Sequence, residues 1–265
     1  MLELNIKTQG NPGSPTIVLL HGLFGSATNW GTIARNLGKD YQVVVPDLRN
    51  HGQSPQDRDC SYAAMAGDVL GLLDSRGTDS AILVGHSMGG KVAMHLALNH
   101  PQRVAGLAVV DMAPVNYSHD FQDVVDAFRA VDLGGVQKRA DADAQMAPHV
   151  TLAGVRAFLL QNLVKRPDGW AWRVNLDALA AAQDEITGFP DQPVDARYRQ
   201  PAAFIHGELS DYVQPAYEPE IRRLFPFASL CEVAAAGHWV YAEKPQGFMD
   251  CLERFLENLN EGIQP

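Results

Sequence analysis

Cysteine is scarce in this chain: Cys60, Cys231 and Cys251 are the only three among 265 residues. They stand at none of the close spacings that metal ligands need, so no metal site is expected. The odd count leaves one thiol over even if two were bridged, and the expectation is free thiols in a reducing, cytoplasmic setting. Long apolar runs are missing too. No stretch approaches the ~20 residues that span a bilayer, and the opening Met1-Leu2-Glu3-Leu4-Asn5-Ile6-Lys7 lacks the basic start and apolar core of a signal peptide. Basic residues are outnumbered, 21 against 31 acidic ones, for a formal charge of −10. That balance repels phosphate backbones and anionic membrane surfaces, which excludes nucleic acid and leaves a small molecule as the expected partner. Oligomeric state has no signature in the sequence.

What the chain does have is a regular alternation of short buried-strand patterns with helical ones, enough for one large α/β domain with a sizeable core. Leu2 to Lys7 alternates like an edge strand. Thr16-Ile17-Val18-Leu19-Leu20 and Gln42-Val43-Val44-Val45-Pro46 are continuous apolar runs, the mark of strands covered on both faces. Further strands are expected at Ala81 to Val84, Val104 to Val110, Ala202 to His206 and Ser229 to Val233, with helices at Asn29 to Leu37, Tyr62 to Leu73, after Ser87, near Ala216 to Leu224, and from Pro245 to Leu259. The order predicts a doubly wound, mostly parallel sheet of about eight strands. Between Pro114 and Arg199 no strong strand pattern occurs, only helical patches (Val124 to Val131, Leu152 to Leu163, Leu176 to Gln183). Residues 1–113 and 200–265 are therefore expected to form the core, and 114–199 a helical cap inserted into it.

Chemistry gathers at the carboxyl ends of the predicted strands, where His21, Asp47, Ser87, Asp111, Asp211 and His238 all fall. Ser87 lies in Gly85-His86-Ser87-Met88-Gly89-Gly90, between a buried strand and a helix. Glycines at Gly85 and Gly89 there remove side chains that would block the close approach of the two elements and leave the serine hydroxyl exposed at the sheet edge. A serine hydroxyl is a poor nucleophile near neutrality and needs a base, itself oriented by a third group. His238, behind Gly237 and late in the chain, fits the base in the order serine, acid, histidine. An oxyanion needs two preorganised N–H donors, expected from Leu23 in His21-Gly22-Leu23-Phe24-Gly25 and from Met88. Phe24, Phe158 and Trp172 are the expected substrate-contacting side chains.

These segments, with Asp47-Leu48-Arg49-Asn50-His51-Gly52-Gln53-Ser54 and Gly237-His238, resemble the α/β-hydrolase superfamily over nearly the whole chain apart from the cap. Together with Val110-Asp111-Met112-Ala113-Pro114-Val115, they are similar to its small bacterial esterases of the YbfF type and its ABHD-type hydrolases. Most of the superfamily carries the acid as Gly-x-x-Asp-x-x-Val, whereas Gly207-Glu208-Leu209-Ser210-Asp211-Tyr212-Val213 has Ser210 in that slot. The YbfF-like esterases also lack an acid there and carry one after the preceding strand, which implies Asp111 as the acid, with Asp211 the alternative. Asp47, Arg49 and Ser54 resemble a structural loop held by an internal charge pair, and His86 a packing residue. The resemblance implies a cofactor-free serine hydrolase acting on carboxylic esters of short to medium acyl length through an acyl-enzyme on Ser87. The alternatives are an acyl-CoA thioesterase, a perhydrolase or haloperoxidase-like enzyme with the same triad, and a non-catalytic small-molecule receptor.

Overall fold

A computed structural model describes residues 1–261 of the chain. Seven strands form one sheet: β1 (Ile6–Gln9), β2 (Thr16–Leu20), β3 (Gln42–Pro46), β4 (Ala81–His86), β5 (Val104–Val110), β8 (Ala202–Gly207) and β9 (Ala228–Val233). Their spatial order is β1-β3-β2-β4-β5-β8-β9, and every pair is parallel except the edge pair β1–β3. The sheet thus has seven strands rather than about eight. Two further strands, β6 (Leu163–Arg166) and β7 (Gly169–Trp172), form an antiparallel hairpin of their own inside the segment expected to be purely helical. Each is only four residues long and partly exposed on both sides, so neither shows an apolar alternation. The legible signal was the Pro167-Asp168-Gly169 turn, with Gly169 at φ 131°.

The parallel strands show why continuous apolar runs form here. Ile17 and Leu19 of β2, with Val43, Val45, Ile82, Val84, Ala108 and Val110, point to one face of the sheet. Val18, Leu20, Val44, Leu83, Leu107 and Val109 point to the other. A strand's side chains alternate, so both registers must be apolar when both faces are covered. The first face is covered by α1 (Gly31–Leu37) and α11 (Pro245–Asn260), whose buried Phe248, Leu252, Phe255 and Leu256 recur at helical spacing. The second is covered by α2 (Tyr62–Ser75) and α3 (Met88–Asn99), with α9 (Glu218–Leu224) beside β8. The short α10 (Val240–Glu243) precedes α11.

Between β5 and β8 lie α4 (Gln122–Ala130), α5 (Arg139–Met146), α6 (Ala153–Leu159), the β6–β7 hairpin, α7 (Leu176–Ala181) and α8 (Gln183–Thr187). Their buried side chains, among them Phe128, Met146, Leu159 and Leu179, join the core cluster that covers the α2–α3 face. The end of α8 is fastened to the core. Lys91, on α3 one turn after Ser87, is 1% exposed and donates from Nζ to the carbonyls of Thr187 (2.7 Å) and Gly188 (2.5 Å). Tyr62 Oη donates to the neighbouring Ile186 carbonyl (2.6 Å).

The expectation of free thiols is overturned for two of the three cysteines. Cys231 on β9 and Cys251 on α11 form a disulfide with Cα atoms 6.1 Å apart, and only Cys60 is free. Counting cysteines carries no information on proximity, and these two are brought together because α11 packs back across β9. The count therefore gives no support to a reducing compartment.

Candidate active site

Ser87 sits in the turn from β4 to α3 with φ 53° and ψ −120°. A non-glycine residue there is strained, and the surroundings leave it no alternative. A Cβ on Gly85 would stand 2.2 Å from the Gly89 carbonyl oxygen, and one on Gly89 would stand 2.5 Å from the Leu20 carbonyl oxygen. The elbow is tight because strand, turn and helix touch backbone to backbone.

Asp111, directly after β5, is also at positive φ (51°) and has no exposed surface. A carboxylate so buried has to be compensated by donors, and three are present. The Gly207 N–H donates to Oδ1 (3.1 Å), His238 Nδ1 donates to Oδ2 (2.7 Å), and the Ser210 hydroxyl donates to that same Oδ2. Because Nδ1 carries the proton, Nε2 of His238 is left with its lone pair, the form a general base needs. Asp211 has a different setting. It is exposed and borders a surface cavity with Glu208 and Glu232.

The imidazole of His238 is gripped on two sides. The Tyr212 ring is stacked on it at 4.0 Å, and His86 stands 4.7 Å away on another side. Tyr212 is itself tied down: Tyr117 Oη donates to its carbonyl (2.6 Å), and its hydroxyl meets His119 Nε2 (3.0 Å). His86 is buried, which pushes its pKa well below the usual value, and its Nε2 donates to the His238 carbonyl at 2.9 Å.

Opposite lies the loop after β2. Phe24 has φ 60°, its N–H donates to His51 Nε2 (3.1 Å), and its carbonyl accepts from Asn162 Nδ2 (2.8 Å). His51 is fixed as the Nδ1–H tautomer by the Arg49 carbonyl (2.8 Å). His21 is held likewise, Nδ1 donating to the Gly22 carbonyl (2.8 Å) and Nε2 accepting from the Leu48 N–H (2.9 Å). Burial depresses both histidines, His51 to about 3, so each works as a neutral strut between the two loops. The charge pair foreseen inside the Asp47 to Ser54 loop is replaced by one leaving it: Arg49 pairs with Asp68 of α2 (2.7 Å), while Asp47 accepts from the N–H groups of Ala27 (2.7 Å) and Gln53 (2.9 Å). A residue's partner across 19 positions is invisible to local pattern.

Ser87 and His238 open into one chamber of about 160 Å³ with Leu23, Phe24, Phe121 and Phe158 among its walls. No hydrogen bond joins the Ser87 hydroxyl to His238 in this state, a looseness common before substrate binds. Met88 opens α3, so its N–H is one of the donors that a first turn leaves unpaired. The Leu23 N–H meets no acceptor among the described residues. Of the aromatic residues expected around substrate, Phe24 and Phe158 line the chamber, whereas Trp172 does not. It packs edge-on against Phe128 (4.7 Å), which in turn stands behind Phe24 (5.2 Å). Ser210 and Tyr212 were not foreseen as parts of the site, nor Lys91 as the fastening beside it. Ser210 had a signal, since it fills the slot where an acid is usual, and Lys91 had another as a lone charge on an apolar helix.

The family model described as alpha/beta hydrolase fold matches residues 15–245. The chain belongs to that family. Among curated α/β hydrolases it is 46% identical over 256 residues to the sn-1-specific diacylglycerol lipase ABHD11 of Mus musculus, covering 93% of this chain and 82% of that protein. It is 39% identical to esterase YbfF of Escherichia coli strain K12, covering 97% and 100% respectively. Among solved structures, a marine microorganism esterase superposes with a TM-score of 0.92 at 33% identity, over 96% of this chain and 100% of that one. Among the described residues no helix is long and apolar enough to cross a membrane, and no group of three or more potential metal ligands occurs.

Proposed function

We propose that the protein hydrolyses carboxylic esters of short to medium acyl length through an acyl-enzyme on Ser87. The reading is carried by the 2.7 Å bond between Asp111 and His238 Nδ1, which turns a lone-pair nitrogen toward the chamber that also holds Ser87. Ser87 Oγ attacks the ester carbonyl while His238 Nε2 accepts the hydroxyl proton, and Asp111 stabilises the imidazolium that forms. The oxygen of the tetrahedral intermediate is held by the N–H groups of Leu23 and Met88. Collapse breaks the bond to the leaving oxygen, which takes the proton from His238. Water repeats the sequence and releases the carboxylic acid. The names of the relatives, esterase and diacylglycerol lipase, support ester cleavage, and the small apolar chamber supports a modest acyl group. Residues 114–199 act as a cap, with α6 supplying Val155, Phe158 and Leu159 to the chamber.

A fluorophosphonate probe should label the parent protein and leave Ser87→Ala unlabelled. The parent should turn over p-nitrophenyl acetate and butyrate. The substitution removes one oxygen and no core volume, so the variant should fold normally and lose at least about a thousandfold in rate. Retention of activity within tenfold by a folded Ser87→Ala would remove the nucleophile assignment.

A further inference from the structure

A second cavity adjoins the chamber of Ser87, and it is the larger one. It has a volume of about 690 Å³, against about 160 Å³ for the chamber. Leu152, Gly154 and Ala157 line it on the cap side, and Thr28, Ala242 and Glu243 on the core side. Asn29, Val155, Phe158, Trp239 and Tyr241 border both spaces. The partition between them is a pair of side chains, with the rings of Phe158 and Trp239 5.7 Å apart. Its outer rim carries Leu152, 68% exposed and one of four large apolar side chains so exposed among the described residues. Ligand cavities typically measure about 300–1,000 Å³. A chamber of 160 Å³ holds on the order of five waters' share of liquid volume, room for an ester group and a few carbons only.

We propose that this outer cavity is a distal subsite for an unbranched apolar arm of the substrate, which passes from the chamber between Phe158 and Trp239 and lies along α6 toward Leu152. This rests on the esterase reading above and extends its substrate class to esters with one long alkyl arm. Shared walls carry the assignment: Asn29, Val155, Phe158, Trp239 and Tyr241 border both spaces, and the outer one is large enough to receive what the chamber cannot hold. Glu243 is engaged at the wall, where its two carboxylate oxygens accept the N–H groups of Gly237 (2.7 Å) and Trp239 (3.1 Å), and Leu152, Ala153, Val155, Ala157, Phe158 and Ala242 supply the apolar lining. The cavity therefore offers shape and apolar contact to an alkyl arm, and discriminates by its length.

Gly154→Phe tests the subsite without touching the catalytic residues, since Gly154 lines the cavity and a Cβ built there meets nothing within 4 Å. Two ester series are compared in parent and variant: p-nitrophenyl esters from acetate to decanoate, and acetate esters of alcohols from ethanol to decanol. The shortest members should keep kcat/KM within about twofold. The longest member of one series should lose at least about tenfold, as expected when two or more buried methylenes are displaced at roughly fourfold each, and the series affected identifies the arm. Equal losses for short and long members, or no loss in either series, would overturn the subsite. Ala157→Phe, also exposed and on the same cavity wall, serves if Gly154→Phe unfolds. Failure of the parent to cleave any ester would instead sink the esterase reading. In that case 2-undecanone binding, followed by intrinsic fluorescence, decides the cavity: binding by the parent and not by Gly154→Phe keeps it, and equal binding or none removes it.

Discussion

Asp111 shows how much a single residue's surroundings decide. Its carboxylate is shut away from water, and its backbone stands in a conformation that side chains avoid, yet three donors converge on it. Asp211, late in the chain and one position from the usual slot, faces solvent. Exchanging Asp111 for Asn keeps the size and loses the charge that holds His238 in one tautomer. Asp111→Asn should lower kcat by about 10⁴, whereas Asp211→Asn should cost less than about tenfold, as for an exposed residue without partners. Steady-state kinetics on folded variants checks both, and the reverse ranking would move the acid to Asp211. The candidate nucleophile, base and acids could be picked out in the sequence because each follows a strand at a position set by topology. The roles of Ser210 and Tyr212 could not, although Ser210 stood out by filling the slot where an acid is usual. What they do depends on where a side chain points after a strand ends, and one residue more or less in that loop exchanges inward for outward.

At the scale of elements, the elbow around Ser87 is the least tolerant part of the molecule. An alanine at Gly89 would press its methyl group into the Leu20 and His21 carbonyl oxygens at 2.5 and 2.6 Å, at the end of β2, the strand next to β4. Neither backbone can retreat without breaking the sheet, so Gly89→Ala should remove the cooperative thermal transition or leave the protein insoluble. Gly31 makes a control of the same chemistry. It opens α1 at helical φ and ψ (−55°, −38°), and a Cβ there meets nothing within 4 Å. Gly31→Ala should raise stability by about 0.4–1 kcal/mol through the unfolded chain, read as a small increase in the denaturant midpoint. A stable, active Gly89→Ala would mean that the turn is looser than its backbone contacts require. The parallel strands and α11 were legible because burial on two faces, or on one helical stripe, forces an apolar pattern. In residues 114–199 that force is weak: α5 buries only Ala142 and Met146 among eight residues, and the β6–β7 hairpin leaves no periodic trace.

For the whole molecule, the buried histidines set the response to acid. His21, His51 and His86 are neutral in the fold, each depressed by burial, with His51 brought to about 3. In the unfolded chain each titrates near 6.5. Below that pH the unfolded state holds up to three more protons than the native one, so stability falls with pH by up to about 4 kcal/mol per unit. The loss begins near pH 6.5 and continues toward pH 3. Lys91 acts in the same direction at the other end. Burial pushes its ammonium down to about 7, so from there to about pH 10 the unfolded chain again binds the extra proton and stability goes on rising. Urea midpoints at pH 8, 7, 6 and 5 should decline in that order, most steeply below 6.5. A flat profile between pH 7 and 5 would show that the struts take up protons in the native state as readily as in the unfolded chain.

The fastening at Lys91 has a further consequence for how such a protein can diversify. The lysine belongs to the helix that begins at the Ser87 elbow, and it clasps the carbonyls where α8 ends. One end of residues 114–199 is thus tied into the body that carries Ser87. The stretch from Leu152 to Gln161, over the outer cavity, touches that body mainly through side chains such as Phe158 and the Asn29–Gln161 hydrogen bond (3.1 Å). Descendants of one ancestral chain can therefore rewrite that rim, insert into it or enlarge its side chains, and acquire new diets while the machinery beneath is inherited unchanged.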